Sequence, residues 1–141
     1  MITVRNIDHI VLRVRDVERM IGFYSEVLGC PLERKLESFG LYQLRAGNAL
    51  IDLVDVASEA GRPGGAAPGA EGRNLDHFCL RLEPFDPDAL IAHLKSHGLD
   101  PGTFKQRYGA EGDGPSLYIE DPEGNTIELK GPPATPGVAA P

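Results

Sequence analysis

The chain has 141 residues, 41% of them hydrophobic, and a formal net charge of −7 without any cluster of Lys and Arg. This length predicts one domain or two small modules that share a core, and the acidic balance argues against a nucleic-acid binder. Because the chain has no run of about 18 apolar residues, no signal-peptide pattern and only two distant cysteines, we expect a cytoplasmic protein outside the membrane.

The first predicted element is a strand at residues 8–14, DHIVLRV, whose side chains alternate between two faces. A helix follows it, starting at the capping residue Asp16 and ending at Gly29. Further strands are predicted at residues 32–38, 41–46 and 50–53. Residues 4–56 are thus predicted to form one βαβββ module.

The same order of elements returns after a segment rich in Gly, Pro and Ala at residues 57–73, which is predicted to be an exposed linker. The sequence DHFCLRL at 76–82 repeats the first strand, with an offset from His9 to His77 of 77 − 9 = 68. A second helix is predicted from Asp86-Pro87 to Gly98. Strands predicted at 103–107, 116–120 and 126–129 complete a second module over 74–130, and a flexible tail is predicted at 131–141.

Four ionisable residues occupy equivalent places in the two modules: His9 and His77 on the first strands, Asp52 and Glu128 on the closing strands. The alternate positions of these strands, such as Ile10, Leu12 and Val14, form an apolar face, so all four ionisable residues are predicted to face away from the helices. If these faces come together, the four side chains converge, and two imidazoles with carboxylates suit a divalent ion with open positions. The pattern is equally compatible with histidines that only make structural hydrogen bonds.

These segments, with DPEGNTIEL at residues 121–129, resemble the vicinal oxygen chelate superfamily. This superfamily includes glyoxalase I, fosfomycin-resistance enzymes, extradiol dioxygenases and bleomycin-binding proteins. The resemblance implies an α+β fold in which two βαβββ modules pair into a U-shaped, metal-centred barrel. It also implies that His9, His77 and Glu128 bind one divalent ion per site (Ni, Co, Mn, Fe or Zn), with Asp52 as a further ligand or a base.

The resemblance further implies an enzyme that chelates neighbouring oxygens of a small substrate, and we expect a glyoxalase I-like isomerase or lyase. Asp52 and Glu128 are the candidate catalytic carboxylates, because a carboxylate beside the metal can move a proton between adjacent carbons. Arg13 resembles the arginine that holds the glutathione carboxylate in glyoxalase I. The alternative for Arg13 is a structural ion pair, since the remaining Lys and Arg pattern of that substrate site is missing.

Three other activities remain open. Residues 111–118 resemble the phosphonate-binding region of fosfomycin-resistance transferases and hydrolases, which makes Ser116 and Tyr118 candidates for substrate binding. Two histidines and one carboxylate also suit the Fe(II) of a ring-cleaving dioxygenase, whereas a metal-free bleomycin-binding protein would lack these ligands.

We expect a homodimer, because exposed edge strands and an open concave face favour association with a second copy of the chain. Each site is then built either within one chain or from two.

Overall fold

The computed structural model describes residues 1–133 of the chain and contains two compact units. The first unit comprises Met1–Asn74 together with Pro122–Gly124, and the second comprises Leu75–Asp121 together with the described residues from Asn125 to Pro133. Each unit carries a four-stranded sheet and an α-helix, in the chain order β-α-β-β-β. The predicted duplicated α+β architecture is therefore confirmed.

The sheet of the first unit mixes parallel and antiparallel pairing. Its elements are β1 (His9–Val14), α1 (Val17–Gly22) continued by a π-helical turn (Phe23–Val27), β2 (Leu32–Leu36), β3 (Leu41–Ala46) and β4 (Ala49–Asp55). The strand order is β1-β4-β3-β2, with β1 parallel to β4 and the other neighbours antiparallel.

The second unit has the same topology. Its elements are β5 (Phe78–Arg81), α2 (Pro87–Ser96), β6 (Lys105–Gly109), β7 (Gly112–Glu120) and β8 (Thr126–Lys130). The order β5-β8-β7-β6, with β5 parallel to β8, reproduces the first sheet strand for strand.

The cores follow the predicted alternation of side chains. In β1, Leu12 and Val14 are fully buried while Val11 is 48% exposed, and Met20 of α1 is fully buried as well. In the second unit the buried core residues come from β7, β8 and α2. They are Leu117, Ile119, Ile127, Leu129 and Leu94. Each sheet therefore turns one apolar face inward, which leaves the polar positions of the central strands on the other face.

Both helices begin at the predicted capping residues. The carboxylates of Asp16 and Asp86 each accept a hydrogen bond from the backbone N–H three residues later, at 3.1 Å. Gly29 and Gly98 follow the helical segments with φ of +67° and +78°, a conformation that glycine adopts without steric cost. Within residues 1–133, no helix has the length and hydropathy needed to cross a membrane.

The β6–β7 hairpin differs from its prediction. Its strands were expected to be separated by a turn at 112–114, but Gly109 pairs with Gly112 across a two-residue turn formed by Ala110 and Glu111. The chain therefore reverses before Gly112, which has a φ of +110°, and not after it. As a result β7 is nine residues long and starts at Gly112.

The segment predicted as a linker, residues 57–73, is part of the first unit. The guanidinium of Arg13 donates hydrogen bonds of 2.7–3.2 Å to three backbone carbonyls of this segment, those of Gly61, Gly65 and Ala66. The side chain of Asn74 pairs with the backbone N–H and C=O of Arg13, at 3.0 Å each. The linker is therefore anchored along the edge strand β1.

The first three residues of the predicted tail, 131–133, are among the described residues. Gly131 donates a backbone hydrogen bond to the carbonyl of Pro115 at 2.9 Å, and Gly131 and Pro133 are buried. The remainder of the predicted tail, 134–141, lies outside the described residues.

Candidate functional site

The two units place a histidine and a carboxylate at the same positions of their sheets. In the β1–β4 pairing, Val11, which is two positions after His9, lies opposite Asp52. In the β5–β8 pairing, Cys79, which is two positions after His77, lies opposite Glu128. Since side chains alternate along a strand, each histidine shares a face with the carboxylate of the neighbouring strand.

In the first unit, both members of this pair have polar neighbours. His9 Nδ1 lies 2.7 Å from a carboxylate oxygen of Asp8. This hydrogen bond raises the pKa of His9, partial desolvation opposes the rise, and the negative charge of Asp52 adds to it. Asp52 is only 4% exposed, and the amide of Gln43, opposite it on β3, donates to both of its carboxylate oxygens at 3.3 Å.

The second unit brings its histidine and carboxylate into contact. His77 Nδ1 lies 2.5 Å from Asp76 Oδ2, and His77 Nε2 lies 3.3 Å from Glu128 Oε1. When Nδ1 donates its proton to Asp76, the lone pair of Nε2 is left on the side of Glu128. The imidazole also stands edge-on to the ring of Tyr118, with centroids 5.6 Å apart.

Glu128 is buried and accepts several hydrogen bonds. The Ser116 hydroxyl donates to Oε2 at 2.7 Å and the Tyr118 hydroxyl donates to Oε1 at 3.0 Å. Burial raises the pKa of Glu128, but the hydrogen bonds from Ser116, Tyr118 and Cys79 outweigh burial. With the added charge of His77, they hold this pKa below its usual value. Glu128 is therefore ionised at neutral pH, which is the form that binds a cation.

The donors around Glu128 are weak acids. Burial raises the pKa of the Cys79 thiol to about 11, and the charge of Glu128 adds to this rise. Partial burial also raises the pKa of Tyr118; Arg107 opposes that rise and the hydrogen bond to Glu128 adds to it. Both groups stay protonated at neutral pH, so they act as donors and not as nucleophiles.

A cavity of about 310 Å³ opens beside the His77–Glu128 pair. Its walls come from β5, β8 and the β6–β7 hairpin, and they include Cys79, Arg81 and Lys130. Ligand pockets usually have volumes of about 300–1,000 Å³, so this cavity suits a small molecule.

The residues predicted to bind substrate make hydrogen bonds within the protein. Ser116 and Tyr118 donate to Glu128, and these hydrogen bonds fix the position of its carboxylate. Arg13 donates to the carbonyls of the linker segment instead of pairing with carboxylates.

The donor set of each unit suits a divalent ion. Each unit presents one imidazole and one carboxylate on a shared sheet face, and first-row divalent metals bind both groups. Across residues 1–133, no three His, Cys, Asp or Glu side chains form a group that could hold a metal ion. Each unit by itself therefore supplies a pair of candidate ligands.

Sequence reasoning did not predict the contacts that three polar neighbours make with this site, namely Asp8, Asp76 and Gln43. The repeated Asp-His dipeptide was a signal for the two aspartates, since it occurs at the start of each module. No sequence signal pointed to Gln43, because its contact with Asp52 depends on the register between β3 and β4.

Comparisons with known proteins agree with this architecture. A family model described as the Glyoxalase/Bleomycin resistance protein/Dioxygenase superfamily matches residues 6–129. A virulence protein of Salmonella typhimurium is 32% identical over 130 residues, covering 87% of this chain and 81% of that protein. Its crystal structure matches with a TM-score of 0.74 and 27% identity, covering 93% of this chain and 98% of that one. A lactoylglutathione lyase of Arabidopsis thaliana is 29% identical over 136 residues, covering 91% of this chain but 45% of that protein.

Proposed function

The chain belongs to the glyoxalase/bleomycin resistance protein/dioxygenase superfamily, and from this premise we propose that it is a divalent-metal-dependent enzyme acting on a small substrate with neighbouring oxygen atoms. The proposed reaction is that of a glyoxalase I-like isomerase or lyase, in which a proton moves between adjacent carbons. His9, His77 and Glu128 are the proposed ligands of the ion, and Asp52 is the proposed proton carrier.

The observation that carries this proposal is the duplicated pair of a carboxylate and an oriented histidine. In both units the Nδ1 of the histidine contacts the aspartate that precedes it, at 2.7 Å for His9 and 2.5 Å for His77. A carboxylate on Nδ1 is the usual partner of a metal-bound histidine, because it sets the tautomer and strengthens Nε2 as a ligand.

Each residue around the site has a definite task in the proposed reaction. When bound, a divalent ion supplies a Lewis acid that polarises the chelated substrate oxygens. Ser116 and Tyr118 hold Glu128 as a carboxylate, while a carboxylate oxygen of Asp52 takes a proton from one substrate carbon and returns it to the next. The two bonds from Gln43 to Asp52 are long, 3.3 Å each, so they orient this carboxylate and still allow it to accept a proton.

Metal analysis of the purified protein tests the ligand assignment. Protein prepared without chelators should contain about one divalent ion (Ni, Co, Mn, Fe or Zn) per proposed site. His77→Ala should lose most of this metal, whereas His93→Ala, which removes an exposed histidine of α2, should retain it. Unchanged metal content in His77→Ala would show that this residue is not a ligand.

A substrate screen tests the reaction class. Turnover of dicarbonyl compounds as their thiol adducts supports the isomerase or lyase assignment. Turnover of epoxides or catechols alone would instead assign the chain to the fosfomycin-resistance or ring-cleaving class. Tight binding of a drug-like molecule by metal-free protein, without turnover, would assign it to the non-enzymatic binding proteins.

We also propose that the protein is a homodimer. Each sheet ends in a strand whose residues are almost all exposed, β2 in the first unit and β6 in the second, and unpaired edges of this kind favour association. Light scattering at micromolar concentration should give twice the mass of the chain, and a monomer would refute the proposal.

A mixing experiment shows whether the ligands of one ion come from one chain or from two. His9→Ala and Glu128→Ala chains should each be inactive alone, and they are combined under conditions that allow exchange. Activity returns if each site draws ligands from two chains, because some mixed dimers regain one intact site. Activity stays absent if each chain builds its own site.

A further inference from the structure

We propose that Arg81 and Lys130 form a subsite for an anionic group of the substrate, a carboxylate or a phosphate, in the cavity beside His77 and Glu128. This inference rests on the proposed function in one respect, since the subsite selects the substrate for that same cavity. Both residues belong to the second unit.

The first observation is the register of β5 and β8. Arg81 and Lys130 are directly opposite each other, two residues beyond the pair formed by Cys79 and Glu128, so both cations share the face of Glu128. Two like charges on neighbouring strands repel each other. In the first unit the corresponding positions hold one cation and one apolar residue, Arg13 and Val54. The paired cations are therefore a specific feature of the second unit.

The second observation is the burial of Lys130, which is only 5% exposed. Its Nζ donates hydrogen bonds to the carbonyls of Arg107 and, at 3.1 Å, Gly114. These partners are neutral, and no carboxylate within residues 1–133 forms an ion pair with Lys130. A buried ammonium group without a counterion is unfavourable, and an anion bound in the adjoining cavity would offset its charge.

The third observation is that Arg81 keeps donors to spare. Its Nε lies 2.9 Å from Glu111 Oε1, but the Nε is buried and its geometry gives it no hydrogen bond; a terminal nitrogen lies 3.9 Å from Glu83 Oε1, beyond hydrogen-bond distance. One terminal nitrogen donates to the carbonyl of Leu82. A guanidinium has five N–H donors in one plane, so Arg81 can still bind an oxyanion.

The cavity contains one cation, the Lys130 ammonium, that forms no ion pair with a carboxylate of residues 1–133. The lining contains two cations, Arg81 and Lys130, and two carboxylates, Glu111 and Glu128. Glu111 lies beside the Arg81 guanidinium and Glu128 lies 3.3 Å from His77 Nε2, which leaves the Lys130 ammonium available to an anionic ligand. The cavity of about 310 Å³ limits the ligand to a small molecule, such as a short hydroxy acid or oxo acid, or a small phosphate ester.

Anion titration of metal-free protein tests the subsite separately from metal binding. EDTA-treated protein is titrated by calorimetry with lactate in one arm and with inorganic phosphate in the other. Lys130→Met, which keeps the aliphatic stem, should weaken binding about tenfold or more, because a hydrogen bond to a charged group is lost. Lys130→Arg should retain binding, and so should Lys105→Met, which removes an exposed lysine of β6.

The outcomes are distinguishable from failure of the proposed enzyme. Binding of lactate alone or of phosphate alone, lost in Lys130→Met, supports the subsite and identifies the kind of anion. Equal binding to wild-type protein and Lys130→Met, or no binding of either anion, overturns it. Because metal content is measured on separate samples, either result stands whether or not the protein binds a divalent ion.

Lysine labelling keeps the test valid if Lys130→Met does not fold. The sequence has four lysines, so wild-type protein with ¹³Cε-labelled lysine gives few signals to assign. The Lys130 signal should shift on addition of the anion while the Lys105 signal stays in place. A Lys130 signal that does not move overturns the subsite.

Discussion

The two units share one topology and register, yet they surround their carboxylates differently. Asp52 in the first unit accepts two long bonds of 3.3 Å from a single amide, that of Gln43. Glu128 in the second unit accepts bonds of 2.7 Å and 3.0 Å from the hydroxyls of Ser116 and Tyr118. The same sheet position is therefore held loosely in one unit and firmly in the other.

This difference supports the proposed roles, in which Glu128 binds the metal and Asp52 carries the proton. A carboxylate held by several donors keeps its charge and its geometry, which suits a metal ligand. A shorter carboxylate with weaker bonds is freer to take up and release a proton. The arginines differ as well, since Arg13 anchors the linker segment while Arg81 faces a cavity beside Lys130.

The largest expected effect comes from Asp52→Asn. If Asp52 is the proton carrier, turnover should fall by about 10²–10⁴-fold while the bound metal changes little. Steady-state kinetics and metal analysis on the same preparation measure both quantities. Loss of metal in step with activity would make Asp52 a ligand and remove the proposed difference between the units.

A smaller effect is expected from the aspartates that contact the histidines. Asp76→Ala should weaken metal binding by about 10–100-fold, because the His77 ring loses the partner that orients it. Asp8→Ala should act in the same direction on His9, and competition with a chelating dye measures both affinities. Asp100→Ala, an exposed aspartate of the second unit, controls for the change in net charge. Wild-type affinity in both Asp76→Ala and Asp8→Ala would refute the orienting role.

The smallest expected effect concerns the helix caps. Asp86→Ala should lower the free energy of unfolding by about 1 kcal/mol, because α2 loses its N-cap hydrogen bond. Asp16→Ala should cost less, since the Glu123 carboxylate also accepts bonds of 2.7–3.0 Å from the backbone N–H groups of Arg15 and Asp16. Urea denaturation measures both changes, and Asp86→Asn should stay near wild type because asparagine caps equally well. A larger loss in Asp16→Ala would reverse the order.

Several features of the fold were predictable because they depend on local patterns. Alternation of apolar residues at Leu12 and Val14 identified the buried face of β1, and the caps Asp16 and Asp86 identified the helix starts. The β6–β7 turn was misplaced because Gly112 belongs to a run of turn-forming residues, and the sequence does not show which of them reverses the chain.

The sequence by itself determined the duplication, the βαβββ order and the equivalence of the histidine and carboxylate positions, because these follow from residue spacing. Only the tertiary structure decided which groups meet across strands. The contacts of Gln43 with Asp52 and of Ser116 with Glu128, and the pairing of Arg81 with Lys130, depend on strand register. The hydrogen bonds from Arg13 to the linker segment join residues about 50 positions apart in the sequence. Such contacts are set by how the strands pair and how the chain folds back on itself, and no local pattern of residues encodes them.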